Sequence, residues 1–133
     1  MTRTIENDIG ARLGAADWTE IAAALDRNGW AVLPRLLSHA ECDATAALYA
    51  QEAGFRSHVH MARHGFGRGE YRYFAYPLPP LVAELRAALY PRLAPIANRW
   101  FERMGMTVRF PPGHEEFLAR CHDAGQRRPT PLL

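Results

Sequence analysis

The residues best suited to chemistry lie together in the stretch FRSHVHMARHGFGRGEYRYFAY, residues 55–76, here called the histidine window. His58, His60 and His64 form an H-x-H-x3-H pattern in it. Alternate residues of a strand point to the same face, so His58 and His60 would present two imidazoles side by side, as a metal-binding pair requires. Apart from Glu70, no Asp, Glu or Cys in the window sits at ligand spacing, and short strands mostly use histidine as a surface or hydrogen-bonded residue. The pattern therefore favours surface or hydrogen-bonded histidines, and no metal ligand is predicted from it.

Two other histidines precede a carboxylate in the H-x-E spacing of non-haem iron sites, at residues 39–41 and 114–116. Both matches fall where a helix is predicted to begin. Ser38 and Glu41 form a capping box, and acidic residues at 115 and 116 suit the positive end of a helix dipole. Helix capping explains both matches better than iron binding does.

Three glycines alternate in the GFGRG part of the window, at residues 65–69. A phosphate-binding P-loop requires G-x-x-x-x-G-K-[ST], and a dinucleotide fingerprint requires a helix directly after its glycines. This chain contains no lysine, and a strand is predicted after the glycines. The segment is therefore predicted to be a flexible hairpin connection.

The two cysteines, Cys42 and Cys121, are far apart and both lie in predicted amphipathic helices. That placement predicts small packed side chains and excludes a zinc knuckle or a disulfide framework. No serine or cysteine occupies a nucleophile elbow, so the sequence gives no sign of a hydrolase.

Aromatic and basic residues alternate at the end of the histidine window. Tyr71 and Tyr73 beside Arg68 and Arg72 could stack on bases and contact phosphates. Strand alternation places Tyr71 and Tyr73 on one face, and Arg72 and Phe74 on the other. At least one of these faces is expected to pack against the core.

Composition sets broad limits on the class of protein. The 133 residues are 48% hydrophobic and carry a formal net charge of +2, which fits one domain without a demand for an anionic partner. No stretch approaches the roughly 18 apolar residues that span a bilayer, and residues 1–18 contain no apolar leader segment. We expect a cytoplasmic protein with no membrane contact.

The elements that must position these residues predict an α+β chain. Capping signals bound a helix over residues 17–29 and another over 38–54, with the apolar run WAVLP between them as a buried strand. Two strands flank the glycine loop of the histidine window. An apolar stripe over residues 82–100 predicts a helix kinked or divided at Pro91 and Pro95, a short helix follows over 114–125, and PTPLL begins a strand without a partner.

Two long stretches resemble a known enzyme family. The segment RNGWAVLPRLLSHAECDATAALY resembles the opening of iron(II)- and 2-oxoglutarate-dependent oxygenases. The segments MARHGFGRGEYRYFAYPLPPLVAELRAALYPRLAPIANRW and FLARCHDAGQRRPTPLL are similar to the N-terminal half of a bacterial subgroup related to prolyl hydroxylases. The resemblance extends from Trp18 to Leu133.

The resemblance implies that residues 1–133 form a single incomplete domain: a helix-rich N-terminal support layer with a few strands, from a double-stranded β-helix (jelly-roll) fold. In such oxygenases an H-x-D motif, a distal histidine and a basic residue for 2-oxoglutarate follow the PTPLL strand. His39 and His114 are outside those motifs and inherit no iron role. We therefore expect Fe(II) and 2-oxoglutarate in the complete enzyme, neither of them bound to this chain, and no activity from this chain alone.

Under this interpretation a small-molecule or peptide substrate contacts the window, through His64, Arg68, Tyr71 and Tyr73. Three alternatives stay open. The chain could be a basic-aromatic module that binds nucleic acid, which its mild charge disfavours, or a self-sufficient metal protein using His58, His60 and His64. It could also be a non-catalytic interaction protein that self-associates through exposed apolar surface.

Overall fold

A computed structural model describes residues 8–133, and within them five α-helices and one two-stranded antiparallel sheet confirm the α+β prediction. The prediction that residues 1–18 contain no apolar leader segment falls partly on residues 1–7, which lie outside the described residues. Two compact units are present. The first combines the chain up to Leu36 with Glu84–Ala124, and the second combines Leu37–Ala83 with Gly125–Leu133. The helices and strands are α1 (Ile9–Gly14), α2 (Trp18–Asn28), α3 (His39–Ala47), β1 (Phe55–His60), β2 (Glu70–Phe74), α4 (Pro80–Arg103) and α5 (His114–Asp123).

The first unit begins with α1 and α2, whose ends follow the local capping signals. The side chain of Asp17 accepts a hydrogen bond from the Glu20 backbone N–H at 3.1 Å, and Gly29 ends α2 in the left-handed conformation at φ 77°. Ile9 and Leu13 on α1 are almost completely buried. The predicted helix over residues 17–29 is thus confirmed.

The WAVLP segment that follows is not the buried strand predicted from its apolar run. Residues 30–34 form no strand, and the side chains of Trp30 and Val32 are 64% and 69% exposed. A strand needs a neighbouring strand for its backbone N–H and C=O groups, and no described strand pairs with this segment. The segment instead borders a cleft of about 510 Å³ together with α1 and α2.

Two side chains attach the loop after α4 to that helix. The Tyr90 hydroxyl donates to the Pro111 carbonyl at 2.8 Å, and the Asn98 amide both donates to the Phe110 carbonyl and accepts from its N–H, at 3.0 and 2.7 Å. The helix itself is continuous through Pro91 and Pro95 rather than divided into two. The predicted short helix α5 is confirmed, with acidic residues in its first turn.

Acidification should destabilise the first unit through His114. Burial lowers the pKa of His114, the Arg86 charge lowers it further, and Glu115 opposes the shift. The unfolded chain therefore takes up a proton near the usual histidine pKa of about 6.5 while the folded chain stays neutral. Because the unfolded state binds more protons there, stability should fall as the pH drops through this value and level off below the lowered pKa.

Urea unfolding on both sides of this pH checks the expectation. All three tryptophans, Trp18, Trp30 and Trp100, belong to the first unit, so their fluorescence reports on it. The His114→Gln variant should lose less stability on acidification than the wild type. Equal losses in both proteins would show that His114 does not cause the effect.

The second unit opens with α3, which has the predicted capping box. Ser38 and Glu41 exchange hydrogen bonds between side chain and backbone at 3.1 and 2.8 Å. Two details differ from the prediction. The helix ends at Ala47 and passes into a 3-10 turn over Leu48–Ala50, since the Leu48 N–H already bonds the carbonyls of Thr45 and Ala46. Cys42 is exposed instead of packed, because α3 has no buried face.

The predicted hairpin of the histidine window is confirmed as β1 and β2, joined by a loop over residues 61–69. The sequence predicted that the final residues have no partner, and this prediction was wrong. Leu133 exchanges two backbone hydrogen bonds with Arg72, both at 2.9 Å, and the Phe74 N–H donates to the Pro131 carbonyl at 3.0 Å. Backbone pairing thus occupies both edges of β2.

No described helix is long and apolar enough to cross a membrane.

Candidate metal centre

The hairpin register decides which side chains of the histidine window meet. His60 lies opposite Glu70 and His58 lies opposite Arg72 in the antiparallel pair. Directly opposed residues on such a pair share a face. The strands therefore gather two imidazoles, one carboxylate and one guanidinium on a single surface of the sheet.

Three of these groups converge on one point. The distance from His58 Nε2 to Glu70 Oε2 is 3.2 Å, and the distance from His60 Nδ1 to the same oxygen is also 3.2 Å. The centroids of the two imidazole rings lie 4.1 Å apart. All three potential ligand atoms fall within 4.8 Å of one another, and we call this group the His–His–Glu cluster.

Tyr49, from the 3-10 turn after α3, borders the cluster. Its hydroxyl lies 3.4 Å from His58 Nε2. The hydrogen bond from Tyr49 is the largest cause that lowers the pKa of the Glu70 carboxyl. Burial opposes this shift with a smaller effect, and His58 lowers the pKa further. Burial, followed by the neighbouring Glu70, raises the pKa of Tyr49. Tyr49 therefore stabilises the ionised carboxylate that a metal would need.

Aromatic packing supports the same face. Phe55 and Phe74 stack with ring centroids 4.9 Å apart, and Phe74 is 3% exposed. The Arg72 guanidinium lies 5.0 Å from the Tyr49 ring centre and 5.6 Å from that of Phe55, and it donates to the Gln51 carbonyl at 3.4 Å. These contacts hold the hairpin and the Tyr49 turn together.

Two histidines and one carboxylate are the ligands of non-haem Fe(II) sites and a common set for zinc. The sequence placed His58 and His60 on one face but left their third partner open, because nine residues lie between His60 and Glu70. Only the hairpin register brings them together. A search for the residue opposite His60, given the predicted turn, would have identified Glu70. His64, the third histidine of the sequence pattern, is not in the cluster.

The predicted substrate residues are divided between the loop and the opposite face of the sheet. His64 ends the 3-10 turn Met61–His64 and Arg68 lies further along the loop, both exposed. Tyr71 and Tyr73 are half-buried, with ring centroids 5.4 Å apart, and the Arg56 guanidinium lies 4.3 Å from the centre of the Tyr73 ring. The structure thus brings the two tyrosines together, on the side away from the His–His–Glu cluster.

Comparison with known proteins gives one family and two relatives. Residues 69–133, just under half of the chain, match an oxygenase family described as catalysing oxidative methylation of damaged DNA. Uncharacterized proteins from Mycobacterium tuberculosis strains CDC 1551 / Oshkosh and H37Rv are each 42% identical over 60 residues, which is 45% of this chain and 26% of each relative. The chain therefore spans about a quarter of the length of the curated relatives it matches. No solved structure matches it significantly.

The matched segment contains β2, α4, α5 and the terminal residues that pair with β2. It includes Glu70 of the His–His–Glu cluster and both predicted substrate tyrosines, Tyr71 and Tyr73. The match over residues 69–133 supports an oxygenase-type function.

Proposed function

We propose that this chain is the N-terminal part of a 2-oxoglutarate-dependent Fe(II) dioxygenase of the hydroxylase type, related to prolyl hydroxylases. The observation that carries the proposal is the oxygenase match over residues 69–133. The resemblance of residues 18–133 to the N-terminal half of such enzymes supports the same class and implies a jelly-roll fold. Most of each relative lies outside the aligned 60 residues, which leaves room for the H-x-D…H iron motif and the 2-oxoglutarate site there.

One group among the described residues meets the ligand needs of Fe(II). The His–His–Glu cluster has the kinds and number of protein ligands that a non-haem iron site uses. His58, His60 and Glu70 would hold an iron ion bound within this part of the chain. Fe(II) held there would supply oxygen activation. The resemblance, by contrast, assigns the catalytic iron to the H-x-D…H motif, and the cluster then has a separate role.

The substrate in this proposal is a small molecule or a peptide, contacted by His64, Arg68, Tyr71 and Tyr73. The first two are exposed on the loop of the hairpin, where an incoming substrate can reach them. Their imidazole and guanidinium groups can hydrogen-bond a polar substrate and fix its orientation.

Damaged DNA is a second candidate substrate, because the matching family is described by its action on it. One feature of the loop favours it. Phe66 is 74% exposed between Arg63 and Arg68, which combines an aromatic ring with cationic groups. Aromatic stacking with flanking positive charge is how proteins hold unpaired bases.

Conversion of 2-oxoglutarate to succinate tests the proposal. The complete protein encoded by the gene should form succinate with Fe(II) and oxygen, while the 133-residue chain should form none. A proline-containing peptide and a methylated single-stranded DNA serve as alternative substrates. Arg68→Ala in the complete protein should lower kcat/KM for the accepted substrate by about tenfold, the value of one lost polar contact.

Arg127→Ala provides the matched control, because Arg127 is also an exposed arginine of the second unit. It should leave kcat/KM unchanged. Absence of 2-oxoglutarate turnover by the complete protein would disprove the oxygenase proposal. Equal kcat/KM in the wild type and Arg68→Ala would remove the loop from substrate recognition.

A further inference from the structure

We propose that His58, His60 and Glu70 form a binding site for one divalent first-row transition-metal ion, such as Zn(II), Co(II) or Fe(II). The inference goes beyond the proposed oxygenase function, since it concerns only this hairpin and holds whether or not the complete protein turns over 2-oxoglutarate. It rests on the geometry of the His–His–Glu cluster.

The spacing of the donor atoms fits a shared ion. Ligand atoms about 2.0–2.1 Å from a zinc ion lie about 3.3 Å from each other in a tetrahedron. Glu70 Oε2 is 3.2 Å from His58 Nε2 and 3.2 Å from His60 Nδ1. A charge-assisted N–H···O contact is shorter, about 2.7–2.9 Å. Two of the three donor separations therefore match ligands around one ion, and all three donor atoms lie within 4.8 Å of one another.

The hairpin limits how far the donors can move apart. His58 and His60 are on one strand and Glu70 is on the other, in register with His60. The buried Phe74 and its stack with Phe55 anchor the same face of the hairpin. The Tyr49 hydroxyl borders the same donors, 3.4 Å from His58 Nε2. A metal that meets such positioned donors loses little free energy to ordering them.

The donor chemistry selects the class of ion. Imidazole nitrogens favour zinc, iron, cobalt and nickel, while calcium and magnesium prefer all-oxygen sites. Three protein ligands leave at least one position for water or another ligand. The cluster is also partly exposed, with 31% to 44% of each side chain accessible, and Arg72 adds positive charge to the same face. We therefore expect an exchangeable ion rather than one locked into the fold.

An ion-paired cluster without metal is the competing explanation. In it, protonated imidazoles would hydrogen-bond Glu70, and added metal would find no site. The two explanations differ in which ring nitrogens carry hydrogen. A shared ion requires His58 to bind through Nε2 and His60 through Nδ1, so that the opposite nitrogen of each ring keeps its proton.

Titration of the tag-free chain with Zn(II), followed by imidazole ¹⁵N NMR and by metal analysis after equilibrium dialysis against buffer of fixed free zinc concentration, tests the site. We expect one equivalent of zinc and metal-induced shifts at His58 Nε2 and His60 Nδ1. Glu70→Gln, His58→Gln and His60→Gln should each weaken binding by at least about 100-fold.

His64→Gln is the matched control, because His64 belongs to the same window but not to the cluster. It should bind zinc like the wild type. The substituted side chains are partly exposed, so the variants are expected to fold, which backbone NMR spectra check. The proposal is wrong if the folded wild type retains no zinc, if His64→Gln loses as much affinity as Glu70→Gln, or if other ring nitrogens shift. None of these outcomes bears on 2-oxoglutarate turnover.

Discussion

Phe74→Ala should reduce the free energy of unfolding of the second unit by about 3–5 kcal/mol, the usual cost of truncating a buried phenylalanine. Phe74 is 3% exposed and stacks on Phe55 at 4.9 Å, so its removal leaves a cavity under the hairpin and takes away an aromatic contact. The tryptophans all lie in the first unit and would not report this change. Amide hydrogen exchange at β1 and β2 measures it directly.

Phe66→Ala is the matched control for this substitution. Phe66 belongs to the same hairpin but is 74% exposed, so its truncation should change stability by less than about 0.5 kcal/mol. A similar small effect from Phe74→Ala would mean that the ring is not part of a packed core in solution. A large effect from Phe66→Ala would show that Phe66 is buried in solution by a contact absent from the described residues.

Zinc should stabilise the hairpin in proportion to its binding at the His–His–Glu cluster. An ion that binds only the folded state adds RT ln(1 + [L]/Kd), about 2.7 kcal/mol at a concentration of 100 Kd. Exchange of the β1 and β2 amides should slow by about 100-fold under those conditions. A chelator should reverse the effect, because removal of the ion restores the stability of the free hairpin.

Glu70→Gln should abolish this stabilisation and His64→Gln should retain it. Glutamine keeps the size of the side chain at position 70 while removing the charge, so the comparison isolates the ligand. Equal slowing of exchange in the wild type and Glu70→Gln would indicate zinc binding elsewhere in the chain. Zinc that slows only amides of the first unit would lead to the same conclusion.

The sequence by itself determined the features that depend on near neighbours. The N-caps of α2 and α3 involve residues three positions apart, the left-handed Gly29 is set by its own lack of a side chain, and the alternation of the histidine window is a two-residue period. Such interactions need no distant partner, and each was confirmed. The α+β class followed from the sum of these local signals.

Only the tertiary structure decided the features that require a choice of partner. Trp30 and Val32 have the composition of a buried strand, yet no described strand pairs with them and they are exposed. The final residues gained a partner that their sequence does not reveal, because Arg72 is distant in the chain but adjacent in the sheet.

The same distinction applies to the candidate site. The sequence placed His58 and His60 on one face, since a strand alternates wherever it lies. It left the third ligand unassigned, because the meeting of Glu70 with His60 depends on the register of the hairpin and on the length of its loop. Local chemistry fixed which residues could bind a metal, and strand pairing decided that a carboxylate joins them.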